Sequence, residues 1–149
     1  MANYQFRYGD GTIQFDYPEE EVLRVLEPNQ VDIPLRQEDE IIRDAIEHPI
    51  GSPKLEEIVT AGQTVCIVVP DVTRLWSRPA AICRVLVEKL NKIGVPDENI
   101  LFIAAVGTHR LQEEEDFIQL IGEDLYKRIK IENHLCDGDV VETGVSSYG

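Results

Sequence analysis

Two tetrapeptides, DVTR (residues 71–74) and GTHR (residues 107–110), carry the side chains needed to capture an anion and move a proton. Arg74 offers a planar fork of N–H donors that suits a carboxylate or phosphate and stays charged at every working pH. Thr73 and the amides of its loop can bond phosphate oxygens or hydroxyls. His109 is the side chain that ordinarily titrates near neutrality, so it can both take and give a proton. Asp71 can orient Arg74, orient His109 or hold a ligand hydroxyl. Gly107 lets the backbone leave a strand sharply and approach a ligand closely.

What must position them is a sheet. TVCIVVP (residues 64–70) is a short apolar run rich in β-branched residues, the pattern of a strand covered on both faces. RPAAICRVLVEKLNKIG predicts a helix with Pro79 near its start and Gly94 at its end, and NILFIAAVG (residues 99–107) a second buried strand. LQEEEDFIQLIGEDLYKR predicts a helix with an acidic first turn, and IKIEN a third strand. This is the βαβ rhythm of a parallel sheet. Upstream, YQFRYGDGTIQFDY alternates around a Gly-rich turn, as a β-hairpin does. YPEEEVLRVLEPN reads as a third strand or a brief helix. RQEDEIIRDAIEHP reads as a helix with Ile41, Ile42, Ala45 and Ile46 on one face, and GSPKLEEIVTAG as a helix capped by Ser52 with Pro53 at N1. The fold class is α/β, a three-layer sandwich with a mainly parallel, Rossmann-like sheet and an N-terminal β-hairpin.

In a right-handed βαβ unit the loops leaving both strands open at one edge of the sheet, and ligands of open α/β sheets bind there. If the two strands are adjacent or one apart, Asp71, Thr73, Arg74, His109 and Arg110 share one pocket-sized patch. Other readings compete. An Asp after a Pro commonly caps a turn, and Arg78 and Arg110 suit ion pairs with the many carboxylates. Trp76 covers the loop or packs on the following helix. His48 suits a helix end, and His134 reads either as a ligand beside Cys136 and Asp137 or, more commonly for a lone His in a turn, as a structural residue.

Composition narrows the classes. The 149 residues suffice for one domain with a real core and are too few for two comfortable ones. Fourteen basic side chains against 28 acidic ones leave a net charge of −14, which disfavours nucleic acid and anionic membranes. No apolar run approaches the roughly 20 residues that span a bilayer. Cys66, Cys83 and Cys136 lie far apart without CxxC spacing, and no signal peptide is visible, so reduced thiols and a cytoplasmic location are expected.

DVTR after one apolar strand and GTHR after the next, with HPIGSPKLEEI before and LIGEDLYKRI after, resemble the N-terminal domain of the nickel-dependent lactate racemase family. The resemblance runs from about residue 48 to residue 133. It implies a 2-hydroxy-acid racemase or epimerase carrying a nickel-pincer nucleotide that accepts a hydride. Carried over by position, His109 is one of two acid/base histidines, Arg74 holds the substrate carboxylate, and Asp71, Val72, Thr73 and Arg74 line the cofactor site. The cofactor-attaching Lys, the nickel-ligating His and the second catalytic His have no counterpart here. The chain is therefore expected to be the N-terminal domain of a two-domain enzyme, inactive alone, with the C-terminal domain and a small 2-hydroxy acid as partners. Leu75 stands where the family usually has Pro. The competing class is a non-catalytic nucleotide- or anion-binding α/β domain using the same loops.

Overall fold

The computed structural model describes every residue except 30, 139, 142, 148 and 149. It forms two compact units, Met1–Leu35 and Arg36–Gly149.

The first unit is a hairpin of β1 (Ala2–Tyr8) and β2 (Gly11–Tyr17), antiparallel, with Tyr4 opposite Phe15 and Phe6 opposite Ile13. Gly9 at the turn has φ +56°, a left-handed value that glycine adopts without strain. The register puts Tyr4, Phe6, Tyr8, Ile13, Phe15 and Tyr17 on one face, where Phe6 and Phe15 stack at 5.3 Å. The segment read as a strand or brief helix forms only a 3-10 turn, Glu19–Glu21, and no regular element follows it up to Leu35 among the described residues.

The second unit is built on a three-stranded parallel sheet, β3 (Val65–Pro70), β4 (Ile100–Ala105) and β5 (Lys130–Asn133), with β4 central. Its helices are α1 (Glu38–Glu47), α2 (Leu55–Ile58), α3 (Pro79–Ile93), α4 (Glu114–Ile121) and α5 (Glu123–Arg128). Val69, Phe102 and Ala104 lie on one sheet face and pack with Cys83, Val87 and Leu90 of α3, Leu120 and Ile121 of α4, and Leu125 of α5. Burial raises the Cys83 thiol pKa to about 11, so it serves as a small apolar core residue.

The α/β class, the parallel strand order and the hairpin match the sequence reading. Three local expectations do not. Residues on the opposite face of β3, Cys66 and Val68, are exposed, because the helices of this chain cover one side of the sheet. The long fourth helix is two helices, broken at Gly122, whose φ of +87° and ψ of 149° interrupt the α-helical path. The short α2 opens at Leu55 after Lys54, whose N–H donates to the Glu57 carboxylate at 2.9 Å, while the Ser52 hydroxyl turns away to the Pro53 carbonyl.

Helix α3 begins with Pro79 in its first turn and ends in a Schellman turn. Gly94 N–H donates to the Asn91 carbonyl and Val95 N–H to the Leu90 carbonyl, both at 3.0 Å. Gly94 has φ +104°, its carbonyl accepts from Gly62 N–H at 3.0 Å, and a Cβ placed on it would lie 2.8 Å from the Ala61 Cβ. Gly94→Ala therefore meets both a strained backbone and a clash, and should lower stability by at least about 1–3 kcal/mol in a urea titration. An unchanged midpoint would show that the α2–α3 junction yields freely.

Candidate active-site edge

Parallel pairing of β3 with β4 sets Pro70 opposite Ala105, so the two following loops leave the sheet together. Val72–Ser77 then forms a 3-10 helix with Asp71 as its cap. Asp71 Oδ1 accepts from the Thr73 backbone N–H at 3.1 Å and from the Thr73 hydroxyl. On the other loop, Gly107 at φ +57° starts a turn closed by His109 N–H donating to the Val106 carbonyl at 3.0 Å. That turn carries the His109 ring back to β3, where Nδ1 donates to Asp71 Oδ2.

The capping and orienting readings of Asp71 thus hold together, one oxygen for each. Asp71 is only 5% exposed, whereas the His109 side chain is 55% exposed. The Thr73 hydroxyl, then His109, hold the Asp71 carboxyl below the usual carboxylate range against the opposing effect of burial. An ionised carboxylate only accepts, so the proton on the neutral His109 ring sits on Nδ1 and leaves Nε2 with a free lone pair.

Arg74 extends the chain of contacts, donating from Nη1 to Thr73 Oγ1 at 3.2 Å. Arg36, Arg43, Arg78, Arg84, Arg110 and Arg128 all pair with carboxylates. Among the described residues of the second unit, Arg74 is the one arginine without a carboxylate partner. In so acidic a chain, that leaves the Arg74 guanidinium without a neutralising carboxylate on the loop after β3.

Other candidates separate from this group. Arg110 turns to Asp116, with Nη2–Oδ1 at 3.0 Å, and Asp116 also accepts from the Glu113 N–H that opens α4. Arg78 grips Glu38 with Nε and Nη2, at 2.9 and 3.0 Å. Trp76 is 77% exposed, which leaves little of it packed on α3. His48 ends α1, as its position before Pro49 suggested. The amides offered as anion donors are engaged already, Val72 N–H with Gln112 Oε1 at 3.1 Å and Thr73 N–H with Asp71.

The residues after β5 join the same edge. A cleft of about 430 Å³ is lined by residues 106–111 and 134–137, so His134 and Cys136 share it with His109. The topological rule that paired the first two loops applies equally to this third one, and would have found it. A larger recess of about 700 Å³ lies between α1, α2 and α3, but its Lys89 is neutralised by Glu47 and Glu56 and it contains no loop of the sheet edge.

The family model described as the lactate racemase N-terminal domain matches residues 8–149. The chain belongs to the lactate racemase N-terminal domain family. It is 27% identical over 128 residues to the lactate racemase of Thermoanaerobacterium thermosaccharolyticum, covering 84% of this chain and 29% of that protein. It is 31% identical over 103 residues to the lactate racemase of Lactiplantibacillus plantarum, covering 68% of this chain and 24% of that one. The solved lactate racemase apoprotein of T. thermosaccharolyticum superposes with a TM-score of 0.67 at 26% identity, over 89% of this chain and 30% of that chain. The chain thus spans less than a third of the length of the lactate racemases it matches.

Asp71→Asn tests the pairing. The Asn amide donates where the carboxylate accepted, so His109 Nδ1 loses its acceptor. A folded-state carboxyl held low contributes stability above its unfolded value, about 3.9, and loses it as pH falls through the folded value. Wild type should therefore exceed Asp71→Asn in stability at pH 7, with the gap closing below about pH 4 in denaturant titrations. An equal gap at both pH values would mean that the ionised carboxylate is not the stabilising feature.

Proposed function

We propose that this chain supplies one half of the active site of a lactate-type 2-hydroxy-acid racemase, with the remainder contributed by a further domain of a longer protein. The observation that carries the reading is the Asp71–His109 contact between two adjacent strand-end loops, next to an unpaired arginine. A racemase of a hydroxy acid must grip a carboxylate and remove a hydroxyl proton, and these three residues divide that work.

Arg74 presents two parallel N–H groups to the substrate carboxylate, a bidentate bond that fixes its plane as well as its position. His109 Nε2 takes the hydroxyl proton, and the Asp71 carboxylate stabilises the imidazolium that forms. The same Nε2 returns the proton when the reaction runs backward on this face, as reversibility requires, and the second histidine, in the further domain, serves the other face.

The family implies a nickel-pincer nucleotide, and the residues at this edge fit its organic, anionic part. Arg74 and Thr73 are exposed on the loop of residues 71–74 and are offered as its contacts, with Asp71 and Val72 shaping the loop behind them. Following the family resemblance, we assign the nickel ligand and the attaching Lys to the further domain. Held at this edge, the nickel-pincer nucleotide would supply a hydride acceptor for the substrate's α-hydrogen. The three free thiols support a cytoplasmic assignment.

In the full-length enzyme, folded His109→Ala should lose about 10²–10⁴-fold in kcat in both directions of racemisation, since both faces are used in each turnover. Arg74→Lys should also raise KM, because a point charge cannot copy the fork. Wild-type kcat in a folded His109→Ala enzyme would remove His109 from the mechanism.

The 149-residue chain alone should racemise no 2-hydroxy acid and retain no nickel on purification. Stoichiometric nickel by elemental analysis, or turnover of lactate, would contradict the division of the site between two domains.

A further inference from the structure

Three polar or charged side chains are buried among the described residues, Asp71, Gln112 and Asp116. Asp71 and Asp116 have the tasks given above. Gln112, only 4% exposed, lies three residues beyond His109 and belongs to neither tetrapeptide.

Its hydrogen bonds run to both loops. Oε1 accepts from Val72 N–H at 3.1 Å, and Nε2 donates to the Arg110 carbonyl at 3.0 Å. The Gln112 backbone is gripped in turn by Asn133 at the end of β5. Gln112 N–H donates to Asn133 Oδ1, and Asn133 Nδ2 donates to the Gln112 carbonyl, both at 2.9 Å. One amide side chain, pinned from β5, thus bridges the residue next to Asp71 and the residue next to His109. A shorter or apolar side chain would leave a peptide N–H and a carbonyl unsatisfied, and each loop would be free to settle separately.

We propose that Gln112 is a positioning residue for the proton-transfer pair, tying the two strand-end loops together so that Asp71 meets His109 Nδ1 and leaves Nε2 free. The consequence for catalysis rests on the reading of His109 as the proton acceptor, but the geometric claim can be tested in this chain without cofactor or substrate.

The experiment compares wild type with Gln112→Met, which keeps the length of the side chain and removes both amide bonds. Long-range 15N spectra of the three histidines report which ring nitrogen carries the proton, and 13C spectra follow the Asp71 carboxyl through a pH titration. Wild-type His109 should be mainly the Nδ1–H tautomer. In Gln112→Met that excess should be lost and the Asp71 midpoint should rise toward about 3.9, while His48 and His134 stay unchanged. A merely structural role would lower the melting temperature without moving the tautomer.

Should Gln112→Met not fold, Val72→Pro removes the same bond from the other side. Position 72 opens a 3-10 helix, and Asp71 at ψ 174° is already extended, as the residue before a proline prefers. It should show the same two shifts. A folded Gln112→Met or Val72→Pro chain with the wild-type tautomer and Asp71 midpoint overturns the proposal. The His109→Ala result in the full-length enzyme decides the catalytic reading separately, so either idea can fail alone.

Discussion

The two oxygens of the Asp71 carboxylate are committed to different elements, one to the helical turn that follows β3 and the other to the ring delivered by the loop after β4. Parallel pairing brings the two loops to the same edge, but pairing alone leaves their tips free to diverge. A buried anion needs donors on both sides, and here the donors are the Thr73 loop and His109. Thr73 offsets part of the desolvation of the carboxylate from its own loop, and the offset is complete only when the second loop brings His109 to it. The arrangement of Arg74, one hydrogen bond further along the same chain of contacts, inherits that condition.

Charge plays a different part around α1, which has no fully buried residue. It is fastened to α3 and its preceding turn by Arg43–Glu88, Arg84–Asp39, Lys89–Glu47 and Arg78–Glu38. Such partly exposed pairs each contribute little, roughly 0–1 kcal/mol, and salt weakens them. The core under α3 and α4 has no such dependence. The second unit thus has an apolar centre and an ionic flank.

Much of this was legible in the sequence because it depends on local rules. The β-branched runs ending in Pro70 and Val106, the Pro79 start and Gly94 stop of α3, and the Gly9 turn are each dictated by backbone sterics within a few residues. The shared edge of Asp71 and His109 followed from topology. What escaped depends on contacts distant in sequence. A continuous apolar run cannot say whether Val68 will be covered, since that is decided by where helices lie. Gln112 carries no motif, and its importance appears only when Val72 and Asn133 are brought to it across three strands. Trp76, apolar and large, reads as a cover for its loop or a packing residue for α3, yet it stands 77% exposed.

The chain carries an excess of 14 negative charges, and among the described residues of its second unit Arg74 is the one guanidinium that no carboxylate compensates. At 0.1 M ionic strength the Debye length is about 10 Å, so an anion nearing Arg74 feels the charges close to it while the more distant excess is largely screened. Repulsion grows with every charge the visitor carries, while this chain's edge offers a single fork in return. The reach of that negative surface is set by salt: it lengthens as ionic strength falls, and it weighs on a dianion more than on a monoanion.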